Sequence, residues 1–371
     1  MKPSFCAIAN RQSGEDLIGT ASHYQTYVLI ECPLPWAAKA FTSKHIPAAL
    51  RQYVKAIKAE RSVQFLTVSR ARPSQSVTLM VYERTIPSEN IAAGGSSLKS
   101  QTVQDYRGYE FQLENLEQVV DCLEAHWQGH LIGKPITCKD ILICTHGMRD
   151  KCCARFGQPL FREAMHSIQQ GNLPNTRVWK VSHIGGHRFA PTAISLPDGR
   201  YYGRLTIEAL QSIVTRSGPV SQLESMYRGW GLLPTPLQAL ERMLLLRHGW
   251  DWLACSVSYR ILSDSKRSDK QSDSQQFDSQ QSDTEQQACH QLSVELSINL
   301  PESESATVYQ ATLFQDPDKT LCLKASCSSA IAAPIIKYTV AECIVMTPEL
   351  RVRSQATGSL GGSSVSAVRN V

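Results

Sequence analysis

DILICTHGMRDKCCARFGQPLFREAMHSIQQGNLPNTRVWKVS, residues 140–182, is the stretch whose reading decides the fold. Asp140–Cys144 is an apolar run that reads as a buried strand, the segment from about Gln158 to Gln169 reads as a helix, and Arg177–Ser182 reads as a second strand. Downstream, a strand at Ala193–Leu196 and a helix at Thr206–Arg216 complete the order βαββα. Asp198-Gly199 supplies the positive φ that a tight hairpin turn between them demands. Upstream the same order is expected from Tyr27–Glu31, Ile46–Glu60, Val63–Ser69, Val77–Glu83 and Leu113–His126, with Gly133-Lys134-Pro135 turning the chain between the two sets.

The expected fold class is therefore α/β, with two tandem thioredoxin-like βαββα units repeated in element order and not in residues. A length of 371 residues suits two compact units with an appendage. The units are expected at residues 1–135 and 136–260, the second closed by a helix at Pro236–Gly249 whose Leu237, Leu240, Leu244 and Leu245 share one face. Residues 261–290 are mostly Ser, Asp and Gln and read as a disordered, low-complexity linker, because such a composition cannot offset its ordering entropy by burial. Residues 291–371 read as a small C-terminal β appendage with a Ser/Gly tail, its strands being SVELSINL, ATVYQATLF, KTLCLKAS and KYTVAECIV.

Hydrophobic residues make up 42% and charged residues 19%, enough apolar material for cores and too much for a disordered chain. The most apolar run, Arg242–Cys255, is broken by Arg247, His248 and Asp251, so no membrane span is expected. The N-terminus lacks an apolar stretch of the secretory kind, and the expected location is cytoplasmic, with the twelve cysteines reduced. A net charge of +5 is too small to argue for nucleic acid. It is unevenly placed: Ile141–Ala190 carries seven basic and two acidic residues, a surplus as large as that of the whole chain.

Two clusters in this basic segment carry the chemistry. Cys144-Thr-His-Gly-Met-Arg-Asp-Lys-Cys-Cys153 leaves a strand into a loop before a helix, and His183-Ile-Gly-Gly-His187 follows the next strand. Soft thiolates and imidazoles in two pairs suit zinc or an iron-sulfur cluster, with Cys152 a second candidate beside Cys153. His183-x-x-x-His187 is not a zinc-protease helix, since Ile184 replaces the needed glutamate and Gly185-Gly186 break helicity. The glycines instead let backbone wrap closely around a bulky group. A redox dithiol wants Cys-x-x-Cys, whereas Cys152 and Cys153 are adjacent.

CTHGMRDKCCARFG (144–157) and SHIGGHRFAPT (182–192) together resemble the sucrase/ferredoxin-like family, the sucraseferredoxins, related to thioredoxin-like ferredoxins. GTASHYQTYVLIECPLPW (19–36) and MYRGWGLLPTPLQALE (226–241) share the resemblance, which runs from about Phe5 to Trp252. It implies a 2Fe-2S cluster in the second unit, bound by Cys144, Cys153, His183 and His187. The family pattern places one cysteine before Thr-His-Gly and one before the small residue that opens the helix. The histidines stand where all-cysteine relatives carry Cys-x-x-x-Cys, and Cys152 is an added thiol.

The implied activity is that of an electron carrier working with a redox partner protein, and not of an enzyme with its own substrate. Non-redox Cys2His2 zinc binding and cysteine-based thiol oxidoreduction are the alternatives. Arg149, Lys151 and Arg188 are placed to stabilise a reduced, more negative cluster and to steer an acidic partner. His146 reads as a loop-structuring group. The sucrase half of the family name would call for a paired-carboxylate glycosidase site, for which the sequence has no local signature.

Overall fold

Strand β1 (Thr26–Glu31) is buried on both faces from Tyr27 onward, as its unbroken sequence TYVLIE requires of a central strand. Around it the chain runs as α1 (Cys6–Gln12), β1, α2 (Ala48–Glu60), β2 (Val63–Ser69), β3 (Val77–Arg84), β4 (Gln101–Val103), β5 (Tyr106–Leu113) and α3 (Val119–Trp127). Then come β6 (Lys134–Pro135), β7 (Lys139–Cys144), α4 (Lys151–Gln169), β8 (Thr176–Val181), β9 (Ala193–Leu196), β10 (Arg200–Tyr202) and α5 (Ile207–Thr215). β11 (Tyr227–Trp230), α6 (Thr235–His248), β12 (Ser256–Asp264), β13 (Gln291–Asn299), β14 (Thr307–Lys324) and β15 (Ala332–Val345) complete it. This computed structural model describes residues 5–71, 75–84, 100–265, 290–299, 305–324 and 332–346.

The fold is mixed α/β. Ten strands form one sheet in the order β11-β10-β9-β7-β8-β2-β1-β3-β5-β6. It has two halves with matching internal order, β2-β1-β3-β5 and β8-β7-β9-β10. In each, a parallel pair linked through a helix (β1 with β2, β7 with β8) is extended by antiparallel strands. The halves meet back to back where β2 pairs antiparallel with β8, Val68 opposite Val181 and Ser69 opposite Lys180. One continuous sheet thus runs through both halves.

Helix α2 lays Leu50, Val54 and Ile57, at intervals of four and three residues, onto Val28, Ile30 and Phe65. A larger core gathers α4, α5, α6 and a second, five-stranded antiparallel sheet ordered β15-β14-β13-β12-β4. That sheet holds the C-terminal strands, but its edge strand β4 comes from the first half, and β12 runs on to Asp264, past the expected linker boundary. Residues 266–289, the bulk of the expected linker, lie outside the described residues, as does the tail from Ser354.

Several elements differ from the sequence expectation, which also names no counterpart of α1, β4, β6, β10 or β12. β5 is absent from that expectation because Arg107, Gly108 and Glu110 interrupt its apolar alternation. Gly108 is required there, since a Cβ would sit 2.7 Å from the Tyr82 ring. Helix α3 starts later than Leu113 because β5 uses that residue and Asn115 caps a short turn at Leu116–Gln118. β11 is too short for its period to be legible. ATVYQATLF and KTLCLKAS form one strand, β14, whose polar middle is absorbed by a register shift between Asp316 and Leu321. Helix α6 buries Leu237, Leu240, Leu244 and Leu245 as expected. It also buries Gln238 and Glu241, which bond Ala21 and Arg200 respectively.

Candidate metal centre

Cys144 ends β7, and the helix that follows starts at Lys151, seven residues before the expected Gln158. Asp150 caps it, its Oδ1 accepting from the Cys152 amide at 2.9 Å, and Pro159 lies inside it. Cys152 and Cys153 are therefore in the first helical turn. Gly157 lets α4 lie directly on the strand end: a Cβ there would be 2.0 Å from the Cys144 carbonyl oxygen. That contact draws Cys153, one turn earlier on the same face, alongside Cys144.

Donor atoms of Cys144, Cys153 and His183 lie within 4.8 Å of one another, with Cys153 Sγ 3.6 Å from His183 Nδ1. Both thiols are buried, whereas His183 is half-buried. His187 stands beside this trio and outside its 4.8 Å limit, its ring centroid 5.5 Å from that of His183. Its Nε2 is buried without a hydrogen-bond partner among the described residues, 3.6 Å from Asp150 Oδ2. Two sulfurs, an imidazole and a second, buried ring nitrogen are a donor set that fits a metal ion or cluster.

The Cys144 thiol is held well below the ordinary value, first because Cys153 donates a hydrogen bond to it and then, against burial, because His183 favours its anion. Cys153 is pushed up by that same hydrogen bond, by burial and by the charge on Cys144. Burial lowers the basicity of His187, opposed by Asp150 and assisted by His183 and Arg188. The surroundings thus favour the anion of Cys144 over that of Cys153, and burial favours the neutral imidazole of His187.

Cys152 faces elsewhere: its Sγ is 3.3 Å from that of Cys6, and with Asp150 these form a separate group. Gly185 and Gly186 take φ of 79° and 70°, left-handed values that let the histidine loop curl over the site. His146 ties this loop to the first half. Its Nδ1 accepts from the His183 amide at 3.2 Å, its Nε2–H donates to the Ala37 carbonyl at 2.8 Å, and Trp36 meets its ring edge-on.

Among the cations the sequence singles out, Arg149 and Lys151 are exposed. Arg188 is paired with Glu15 by two bonds of 2.8 Å and is not a free steering charge. Arg228 escapes the sequence reading. It is buried, pushed down to about 10 by burial, and packed against the Phe189 and Tyr201 rings. It donates to the Gly185 carbonyl at 3.2 Å and to the Thr20 carbonyl at 2.7 Å. Its signal is nonetheless present, for Thr20 and Arg228 belong to the two outlying segments of the resemblance, 19–36 and 226–241.

A family model described as sucrase/ferredoxin-like matches residues 17–229. The chain belongs to the sucrase/ferredoxin-like family. Two curated relatives carry the name "Altered inheritance of mitochondria protein 32". That of Debaryomyces hansenii is 32% identical over 106 residues, 26% of this chain and 36% of the relative. That of Clavispora lusitaniae is 33% identical over 105 residues, 27% of this chain and 38% of the relative. Each match thus spans little more than a third of the relative's length. No solved structure matches this sucrase/ferredoxin-like chain. Among the described residues, no helix is long and apolar enough to cross a membrane.

Proposed function

We propose that this sucrase/ferredoxin-like chain is an electron carrier whose 2Fe-2S cluster is held by Cys144, Cys153, His183 and His187 in the second of two thioredoxin-like halves. The observation that carries the reading is the convergence of Cys144, Cys153 and His183 within 4.8 Å, from three different elements, beside a buried His187 nitrogen with no hydrogen-bond partner among the described residues. The thioredoxin-like assignment is supported by the matching strand orders of the two halves.

Bound there, the cluster supplies a one-electron store, and two neutral imidazoles in place of thiolates raise its potential relative to an all-cysteine site. The chain's own residues do the rest. Burial of Cys144 and Cys153 keeps water from the sulfurs. His146 fixes the His183 backbone, Gly185-Gly186 give the loop its curl, and Arg228 holds the Gly185 carbonyl while placing a buried positive charge nearby.

Electron paramagnetic resonance of the anaerobically purified, dithionite-reduced protein tests this, together with iron and sulfide analysis. A coloured protein with two irons and two sulfides that bleaches on reduction and gives a histidine-shifted average g-value is expected. A colourless protein with one bound zinc would replace the reading with a non-redox Cys2His2 module. A metal-free protein with thiol-exchange activity lost in Cys144→Ser would replace it with a thiol oxidoreductase.

A further inference from the structure

A groove of about 620 Å3 lies between α2, the loop after β1 and the metal-site loops, and His146 and His183 line it. Phe41, Val54 and Phe65 give it an apolar floor, the two rings meeting edge to face at 6.2 Å. Around that floor stand Lys39, Lys55 and Lys58 from the first half and Arg149 from the Cys144 loop, all exposed. No carboxylate lines the groove among the described residues. Arg51, also at its edge, donates to the Phe41 and Ile46 carbonyls at 3.3 and 3.4 Å and pins the loop.

Scattered lysines on a helix are ordinarily solvated surface. Here they border an apolar surface, with one sign of charge around it, that reaches the half-buried member of the metal-binding trio. A small-molecule site would aim several buried polar groups at its ligand. The buried polar side chain here is His146, and both its ring nitrogens are already engaged. Cations around an apolar floor match a protein segment bearing carboxylates and an apolar side chain.

We propose that this groove docks an acidic segment of the redox partner, with carboxylates on Lys39, Lys55, Lys58 and Arg149 and an apolar side chain on the Phe41–Phe65 floor. The partner's redox group is then brought to the His183 edge. The proposal rests on the electron-carrier reading and makes the first half the docking half, since β1 to α3 contribute no donor to either candidate metal group among the described residues.

Fluorescence anisotropy of the full-length, iron-loaded chain tests the dock, using a labelled peptide of Asp and Glu residues around a central Phe, with a Lys-substituted peptide as control. Salt-sensitive binding of the acidic peptide only is expected, weakened by about tenfold or more in Lys55→Glu/Lys58→Glu. Carbodiimide should cross-link its carboxylates to Lys39, Lys55 or Lys58. Equal binding by wild type and double variant, or cross-links confined to lysines outside the groove, would overturn the dock. If the double variant does not fold, Lys39→Glu probes the same rim from a loop. Iron content and visible absorption of the same samples keep the two ideas apart. Colour retained with variant-insensitive binding faults the dock, and lysine-dependent binding by a colourless protein faults the electron-carrier reading.

Discussion

Cys152 and Cys153 are neighbours in the chain, but successive helical residues point about 100° apart, so they serve different surroundings. Cys152 meets Cys6 and Cys153 meets Cys144 and His183. We therefore expect Cys152→Ser to keep its full iron content and visible absorption, and Cys153→Ser to lose most of both; equal loss in the two would mean that Cys152 is a ligand. Arg228 acts on the same loop from behind. Arg228→Met leaves the Gly185 and Thr20 carbonyls without their donor, and should cost about 2 kcal/mol in urea unfolding while hastening iron loss to a chelator. Arg228→Lys, which can reach one carbonyl, should recover part of that loss.

Helix α4 is the element on which the site depends, and the sequence disguises where it begins. A start near Gln158 would put Pro159 in the first turn, where proline is most at home. The actual start is fixed by the Asp150 cap, with Pro159 tolerated in the third turn. Gly157 then allows the helix to touch β7 backbone to backbone. Gly157→Ala gains helix propensity but must push α4 away from Cys144. A net destabilisation of about 1–3 kcal/mol with reduced iron occupancy is expected, measured by urea titration and iron analysis. A more stable variant with full iron would show that this contact does not set the spacing of the two cysteines.

At the scale of the whole molecule, one buried carboxylate joins three distant segments. Glu15 binds Arg188 beside the histidine loop, lies 3.4 Å from Lys337 Nζ of β15, and accepts from Asn10 of α1. Burial raises its carboxyl. The hydrogen bonds and charge of Arg188, with Lys337 and Asn10, outweigh this and hold it below the ordinary 4.5. A carboxylate depressed in the folded state stabilises the fold above its unfolded pKa, and that contribution is lost as pH falls through the native value. Urea stability should therefore be steady with respect to Glu15 down to about pH 5 and decline below 4.5. Glu15→Gln should remove this acid limb and cost about 3 kcal/mol at neutral pH, because it leaves the half-buried Arg188 and the buried Lys337 without their anion. An unchanged acid limb in the variant would assign it to other carboxylates.

Much of this molecule is legible in the chain alone. Apolar runs such as YVLI (27–30) and ILIC (141–144) mark the central strands, because burial on both faces leaves no polar position within them. The repeated element order suggests two similar halves, although each holds one strand more than expected, β5 and β10. Cys144, Cys153, His183 and His187 stand out because soft donors rarely cluster by accident in strand-end loops, and the fold brings donor atoms of the first three within 4.8 Å. Tertiary structure alone decided the rest: that β2 and β8 fuse the halves into one sheet, that Cys152 turns to Cys6, and that Arg228 and Glu15 brace the histidine loop. Local sequence encodes period and turn chemistry, which act over a few residues. These contacts join positions tens to hundreds of residues apart, and only packing the whole chain brings such groups within a few ångströms.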